Sequence, residues 1–289
     1  MANVVYSIYI EISKQDYDTN VGCYYYDEAV NITKSERSHL EYERYKDQLS
    51  FSKQMYCDEI GVDYIQFGLD EDFISFENKM KVIEPSLTKY EIINFYKFDR
   101  AEYLSTIYDN ILFLDFDVVP NNFNNFFDWY NPSKIAVQDS PLRVDIVKDV
   151  INGRWDMDAR APEAKRYNCS LLLDYYGIQS FDGRAWNTAV MGFSAKTISE
   201  LNYFEQMNNV IHAMKELKEE PRKEQLKKLL GFDNETLFGF RLAHNEIEYT
   251  ILPEQWHYIV DDIKIKKITD QITFCHLIDK QFRRFFNEY

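Results

Sequence analysis

Apolar positions recur along the chain with two periods, near two and near 3.6 residues. Val4 to Ile12 is a β-rich apolar run and predicts a first strand. From Thr33 to Val62, Leu40, Tyr45, Leu49, Met55 and Ile60 recur among charges, which predicts a helix ending near Gly61. Tyr64 to Phe67 reads as a second strand. "KYEIINFYKFDRAEYLSTIYDN", residues 89–110, carries Ile92, Ile93, Tyr96, Tyr103, Leu104 and Ile107 at helical spacing and runs into a strand at Ile111 to Leu114. "NNFNNFFDWYNPSK" (121–134) reads as loop then short helix, "IAVQD" (135–139) as a strand, and residues 141–180 as an irregular excursion. "AWNTAVMGFS" (185–194) predicts a strand, and residues 197–230 a pair of charged, solvated surface helices broken at Pro221. "FDNETLFGFRLAHN" (232–245) opens another helix, "YTILP" (249–253) is a strand, and "QITFCHLIDKQFRRFF" (271–286) is a late strand feeding a terminal helix. This alternation predicts an α/β fold, a mostly parallel sheet flanked by helices, in one compact unit.

Composition narrows the partners. A chain of 289 residues is long enough for one large α/β domain with a full core. Its net charge of −15 implies repulsion from nucleic acid and from anionic lipid, so neither is an expected partner. No run approaches the length of a membrane span, and "MANVVYSIYIEIS" reads as a strand rather than a signal peptide. Cys23, Cys57, Cys169 and Cys275 are scattered without a C-x-x-C pattern, which suits reduced thiols and a cytoplasmic location. The N-x-S/T triplets at Asn31, Asn168 and Asn234 would matter only in a secreted protein.

The chemistry concentrates at "ILFLDFDVVP", residues 111–120, where Asp115 and Asp117 end an apolar run. In an open α/β sheet, ligands bind outside the carboxyl ends of the strands. If the chain stays extended there, both carboxylates point to one side and Phe116 to the other. Two like charges held close repel unless a cation or a shared proton neutralises them. A hard divalent ion such as Mg²⁺ or Mn²⁺ takes oxygen ligands and commonly binds phosphate as well. The plain alternative is an acidic strand end dressed by caps and water.

"KFDRAEYLSTIYDNILFLDFDVV" resembles the segment leading into the D-x-D motif of GT-A glycosyltransferases, closest to the glycogenin and bacterial galactosyltransferase group. Further pieces follow in that family's order: "IAVQD", "WNTAVMGF", "DNETLF" and "FCHLIDK". The resemblance spans residues 90–280 in patches. It departs from the family where Ala189 replaces a glycine, where the spacing from His276 to Lys280 is short, and where the accompanying "KPW" is missing.

The resemblance implies a GT-A, Rossmann-like domain over residues 1–289, with 1–140 binding nucleotide and 141–289 binding acceptor. It implies a UDP-sugar donor, an acceptor hydroxyl, and Mn²⁺ or Mg²⁺ held by Asp115, Asp117 and His276. Lys280 and Lys97 would meet phosphate, while Tyr9, Ile10 and Glu11 would lie by the base. Asp139, Asn187, Thr188 and Ala189 would lie beside the donor sugar. Asp233 and Glu235 would be the reactive carboxylates, and the likeness of D-N-E to D-Q-D points to retention. "DNET" is equally a good helix start with Asp233 as cap. "RWDMDAR" (154–160), with Trp155, is a candidate acceptor rim. Two other readings stay open: a phosphatase of the haloacid-dehalogenase type, drawing late aspartates from "IVDDIK" (259–264), and a sugar-binding protein of this fold without turnover.

Overall fold

The apolar run at the start of the chain forms β1 (Asn3–Ile8), whose last five residues are all buried. It lies between β2 (Asp63–Phe67) and β3 (Asn110–Leu114), parallel to both. The computed structural model describes residues 2–12, 34–140, 161–179, 183–221, 224–227, 229–260 and 267–287. Most of the 141–180 excursion, Trp155 and the "RWDMDAR" rim included, lies outside the described residues, as do Cys23 and Asn31.

The central sheet has six strands in the order β2-β1-β3-β6-β5-β7, where β5 is Ile135–Asp139, β6 is Trp186–Ser194 and β7 is Tyr249–Ile251. Only β6 runs against its neighbours β3 and β5, so the sheet is mostly parallel as the alternation predicts. Strand β6 comes from the second half of the chain yet pairs with β3 from the first, so both halves share one sheet. The side chains of the strands divide between two cores. Val4, Tyr6, Ile111 and Phe113 join one, with α2 (Glu71–Ile83) and α3 (Lys89–Leu104). Val5, Leu112 and Leu114 join the other, with Tyr56, Trp256 and Phe274.

Helix α1 spans Lys34–Ile60 and stops where the sequence predicts, at Gly61 with φ of +71°. There the Gly61 amide donates to Asp58 and the Val62 amide to Cys57, the paired bonds of a left-handed helix end. Helix α3 begins with a reciprocal cap between Thr88 and Glu91. Helix α2 is an element that the pattern reading does not contain; Asp70 caps it, and Phe73, Phe76 and Met80 bury its inner stripe. The solvated helix pair is corrected as well. Helices Ala195–Leu201 and Met207–Glu219 bury Ile198, Leu201, Met207, Val210, Ile211, Met214 and Leu217 in the main core.

A second sheet, also unforeseen, has the order β4-β9-β8, with β4 at Val118–Pro120, β8 at Tyr258–Val260 and β9 at Phe274–Leu277. Its core joins Phe116, Val119, Cys275 and Leu277 to Tyr45 and Leu49 of α1 and to Phe282 of the helix Phe282–Asn287. Strand β1 stops four residues short of the predicted Ile12, because β2 ends at Phe67 and β3 turns away after Leu114. The two sheets thus meet at residues 115–117.

Gly192 in β6 lets the short helix Phe126–Trp129 approach: a Cβ there would lie 2.8 Å from Phe126 Cζ and 3.1 Å from Tyr130 Cε2. The Phe126 ring is itself packed by Tyr130 and Trp256 and has nowhere to retreat. Gly192→Ala is expected to cost about 1–3 kcal/mol of unfolding free energy, measured by urea titration.

Candidate functional site

Asp115 and Asp117 are placed by a turn rather than by an extended strand. The Val118 amide donates to the Asp115 carbonyl at 3.0 Å, closing the chain tightly between β3 and β4. The turn replaces the extended chain on which the expected alternation rests, and each carboxylate has its own cation. Asp115 Oδ1 is 3.4 Å from Lys97 Nζ, while Asp117 Oδ2 receives Lys280 Nζ and lies 3.5 Å from His276 Nε2. Phe116 stacks on Tyr9 with ring centres 4.4 Å apart and is fixed in the third core.

Burial opposes ionisation of both acids, and the balance falls differently at each. At Asp117 the burial penalty is outweighed by Lys280 and His276, which hold the carboxyl well below its ordinary range. At Asp115 burial prevails over Lys97, with Asp117 adding to it, so its carboxyl is pushed up. Lys280 gains from the same contact: burial works against its charge, but Asp117 raises its ammonium above the usual lysine value. Its backbone has φ of +55°, a left-handed conformation uncommon in a long side chain, just after the turn that leaves β9.

His276 lies opposite Val118 in the second sheet, a register that sets it beside the acid couplet. Its Nδ1 is 3.0 Å from Nε2 of His257, a residue the sequence did not single out. Burial, and then His276, hold His257 well below the ordinary histidine value, so it is a neutral hydrogen-bonding partner.

A second polar chain starts from Lys97. Its ammonium also donates to Thr188 Oγ1 at 3.2 Å. The same hydroxyl lies 3.2 Å from Glu235 Oε1 and accepts from Asn234 Nδ2 at 3.0 Å, while the Thr188 amide donates to Glu235 Oε1 at 2.7 Å. Glu235 Oε2 pairs with Lys165, from the helix Pro162–Tyr175. Lys97, Asp115, Thr188 and Glu235 therefore form one continuous network.

Asp233 caps the helix Asn234–His244, its Oδ1 accepting from the Glu235 and Thr236 amides at 2.9 and 3.0 Å. Among the described residues no donor is placed on its Oδ2. Burial pushes the Asp233 carboxyl up against the pull of Lys165, with Glu235 adding to the rise. Glu235 goes the other way, since Lys165 overcomes its burial. One acid is thus biased toward taking a proton and the other toward staying charged.

The remaining predicted residues are less directly engaged. Asp139 pairs with Arg184 at 2.5 Å, and Asn187 Oδ1 accepts from the Ala189 amide at 3.0 Å, beside the β5–β6 irregularity at Val137/Gln138. Ile10 is buried and Glu11 exposed just past β1, while one face of Tyr9 is covered by Phe116. Sequence reasoning missed Lys53, Lys165, Arg184 and His257. No local motif marks any of them, and each acquires its role through a partner far away in the chain. Asp261 and Asp262, which the phosphatase reading needs, lie outside the described residues.

Among the described residues no three His, Cys, Asp or Glu side chains form a ready-made metal cage. The chemistry of the donor set nevertheless suits a hard divalent ion: two carboxylates and one imidazole whose second nitrogen is already held. The Lys280 ammonium, on the Asp117 oxygen that His276 also faces, is a resident cation in that position.

No protein-family model matches the chain, and no curated protein matches it. Among solved structures it is similar to a glycosyltransferase involved in the glycosylation of the major capsid of PBCV-1, at 10% identity over 100% of both chains with a TM-score of 0.45. It is also similar to mouse xyloside xylosyltransferase 1 in its apo form, at 9% identity over 74% of this chain and 75% of that one, with a TM-score of 0.39.

Lys165→Met leaves the Glu235 charge buried beside Thr188 without its cation. It is expected to lose about 3–5 kcal/mol in urea unfolding, and Lys165→Met combined with Glu235→Gln to lose markedly less. Glu235 also sets a pH dependence. Its carboxyl is depressed in the fold, so its contribution is present above the unfolded value of about 4.3 and is lost as pH falls below it. Glu235→Gln should flatten stability measured between neutral and acid pH.

Proposed function

We propose that the chain is a GT-A type glycosyltransferase, moving a sugar from a nucleotide-sugar donor, a UDP-sugar, to an acceptor hydroxyl. One observation supports this above the others: a carboxylate couplet at the end of the central β3 is joined through Lys97 and Thr188 to a second pair of carboxylates with opposed proton affinities. Transfer from a nucleotide sugar needs positive charge where the diphosphate leaves and a carboxylate where the sugar carbon reacts. The two ends of the network answer to these two needs.

Asp115, Asp117 and His276 would hold Mn²⁺ or Mg²⁺. Such an ion, when bound, supplies Lewis-acid stabilisation of the departing diphosphate. Lys280, released from Asp117, would meet phosphate oxygens, and Lys97 would balance charge beside Asp115. Asp139 and Asn187 would accept from or donate to sugar hydroxyls, with Arg184 orienting Asp139. Tyr9, Ile10 and Glu11 would border the base. Asp233 is the reacting carboxylate in this reading, because no donor among the described residues is placed on its Oδ2, while Glu235 is a positioning group tied to Lys165 and the Thr188 amide. In the retaining course, which the D-N-E likeness favours, Asp233 faces the anomeric carbon and stabilises its positive charge. In an inverting course it takes the acceptor proton. Residues 1–140 would serve the nucleotide and 141–289 the acceptor.

A second reading has its own support. Lys97 and Lys280 already neutralise both acids, so transfer without an ion is open to this site.

The deciding experiment is a panel of nucleotide sugars with Mn²⁺ or Mg²⁺, scored for nucleoside diphosphate release. Turnover should be confined to few donors and vanish with chelator; turnover that resists chelator selects the ion-free reading, and silence with every donor removes the proposal. Asp117→Asn is expected to abolish metal-stimulated release with the circular dichroism spectrum unchanged. Asp233→Asn should lose about 10²–10⁴ in kcat, well beyond Glu235→Gln, and near-native rates in both would place the reacting centre elsewhere. Because the Asp233 carboxyl is raised, wild-type turnover should fall on acidification at a pH above the ordinary aspartate value of about 3.9.

A further inference from the structure

Lys53 is buried completely in the middle of α1, with 0% of its surface exposed. Its ammonium donates to the Phe116 carbonyl at 2.9 Å and to the Leu49 carbonyl of its own helix at 3.3 Å, and lies 5.0 Å from the centre of the Phe116 ring. Among the described residues no carboxylate lies within ion-pair distance of it. Burying an ammonium without a counter-ion is unfavourable, and an unbranched apolar side chain would fill the same space without that penalty. Stability alone therefore does not account for a lysine here.

The location of its one distant bond does. Strand β3 ends at Leu114, so the Phe116 carbonyl has left the ladder. The flanking groups find backbone partners: the Asp115 amide donates to Ala189 at 2.7 Å, and the Asp117 carbonyl accepts from Leu277 at 3.0 Å. The carbonyl between them receives Lys53. We infer that Lys53 is a positioning residue for the acid couplet, clamping the Phe116 peptide from behind so that Asp115 and Asp117 are presented together toward the ligand side. This role rests on the couplet being the metal and diphosphate site proposed above. The charge on Lys53 also interacts with both acids and favours their ionised forms. Burial pulls its own pKa down to about 7, the mark of an ammonium held in place at a cost.

The test uses Lys53→Met and Lys53→Gln in the full chain, with three readouts. Mn²⁺ affinity is followed by electron paramagnetic resonance of the free ion, stability by urea unfolding, and backbone protection by hydrogen exchange of peptides covering Val118 and Leu277. Lys53→Met should match or exceed the wild type in stability, yet bind Mn²⁺ about tenfold more weakly and exchange faster at both peptides. Lys53→Gln keeps a donor for the Phe116 carbonyl and should recover much of the protection. If Lys53→Met is less stable while its Mn²⁺ affinity and exchange are unchanged, Lys53 is packing only and the inference is overturned. If the wild type binds no Mn²⁺, the metal reading fails by itself, and exchange at the two peptides then decides the clamp: faster exchange upholds it and unchanged exchange overturns it. Should Lys53→Met fail to fold, the same comparison is made with Lys53→Gln, whose protection must lie below the wild type for the clamp to stand.

Discussion

The structure depends on how the backbone is held at residues 115–117. The backbone of three consecutive residues is gripped by three different elements: Asp115 by β6, Phe116 by α1 and Asp117 by β9. Each grip satisfies a backbone group that would otherwise be buried without a partner. Together they let one sheet hand the chain to another within a single turn, and they fix two carboxylates at that junction. The Phe116 ring, packed on Tyr9 and Tyr42, anchors the turn to the third core.

Charge around the couplet is a result of this placement. Two neighbouring aspartates in contact with nothing positive would hold a proton between them or push the turn open. The fold instead brings Lys97 from α3, Lys280 from beyond β9 and Lys53 from α1 to the same point. The result is a mixed cluster in which every carboxylate has a cation and the cations come from distant elements.

Much of this was legible in the sequence where the signal is local. The Gly61 stop, the Thr88–Glu91 cap and the strands around Ile111 and Val190 all rest on patterns a few residues long. So does the Asp115/Asp117 couplet, and the order of the later motifs placed Thr188, Asp233, Glu235, His276 and Lys280 near it. What escaped was tertiary. Nothing in "SFSKQMY" distinguishes Lys53 from an exposed helical lysine, since its helix is charged on several sides and its partner is 63 residues away. Lys165 and His257 escaped for the same reason. The second sheet was invisible because β4 and β8 are three residues each, too short for any period to show. The turn that carries the two aspartates was invisible for the same reason, because it is set by those short strands.

The register of β9 against β4 has a consequence for the order in which the molecule is made. Asp117 and Lys280 stand 163 residues apart, and His276 arrives with Lys280. A nascent chain that has already threaded β1, β2 and β3 carries Lys97 for Asp115, but Asp117 at the tip of its central strand still lacks the lysine it pairs with. The countercharge for Asp117 emerges only after every other strand of both sheets has been synthesised. Such long-range closure slows folding, so this corner of the fold is completed only after β9 has left the ribosome.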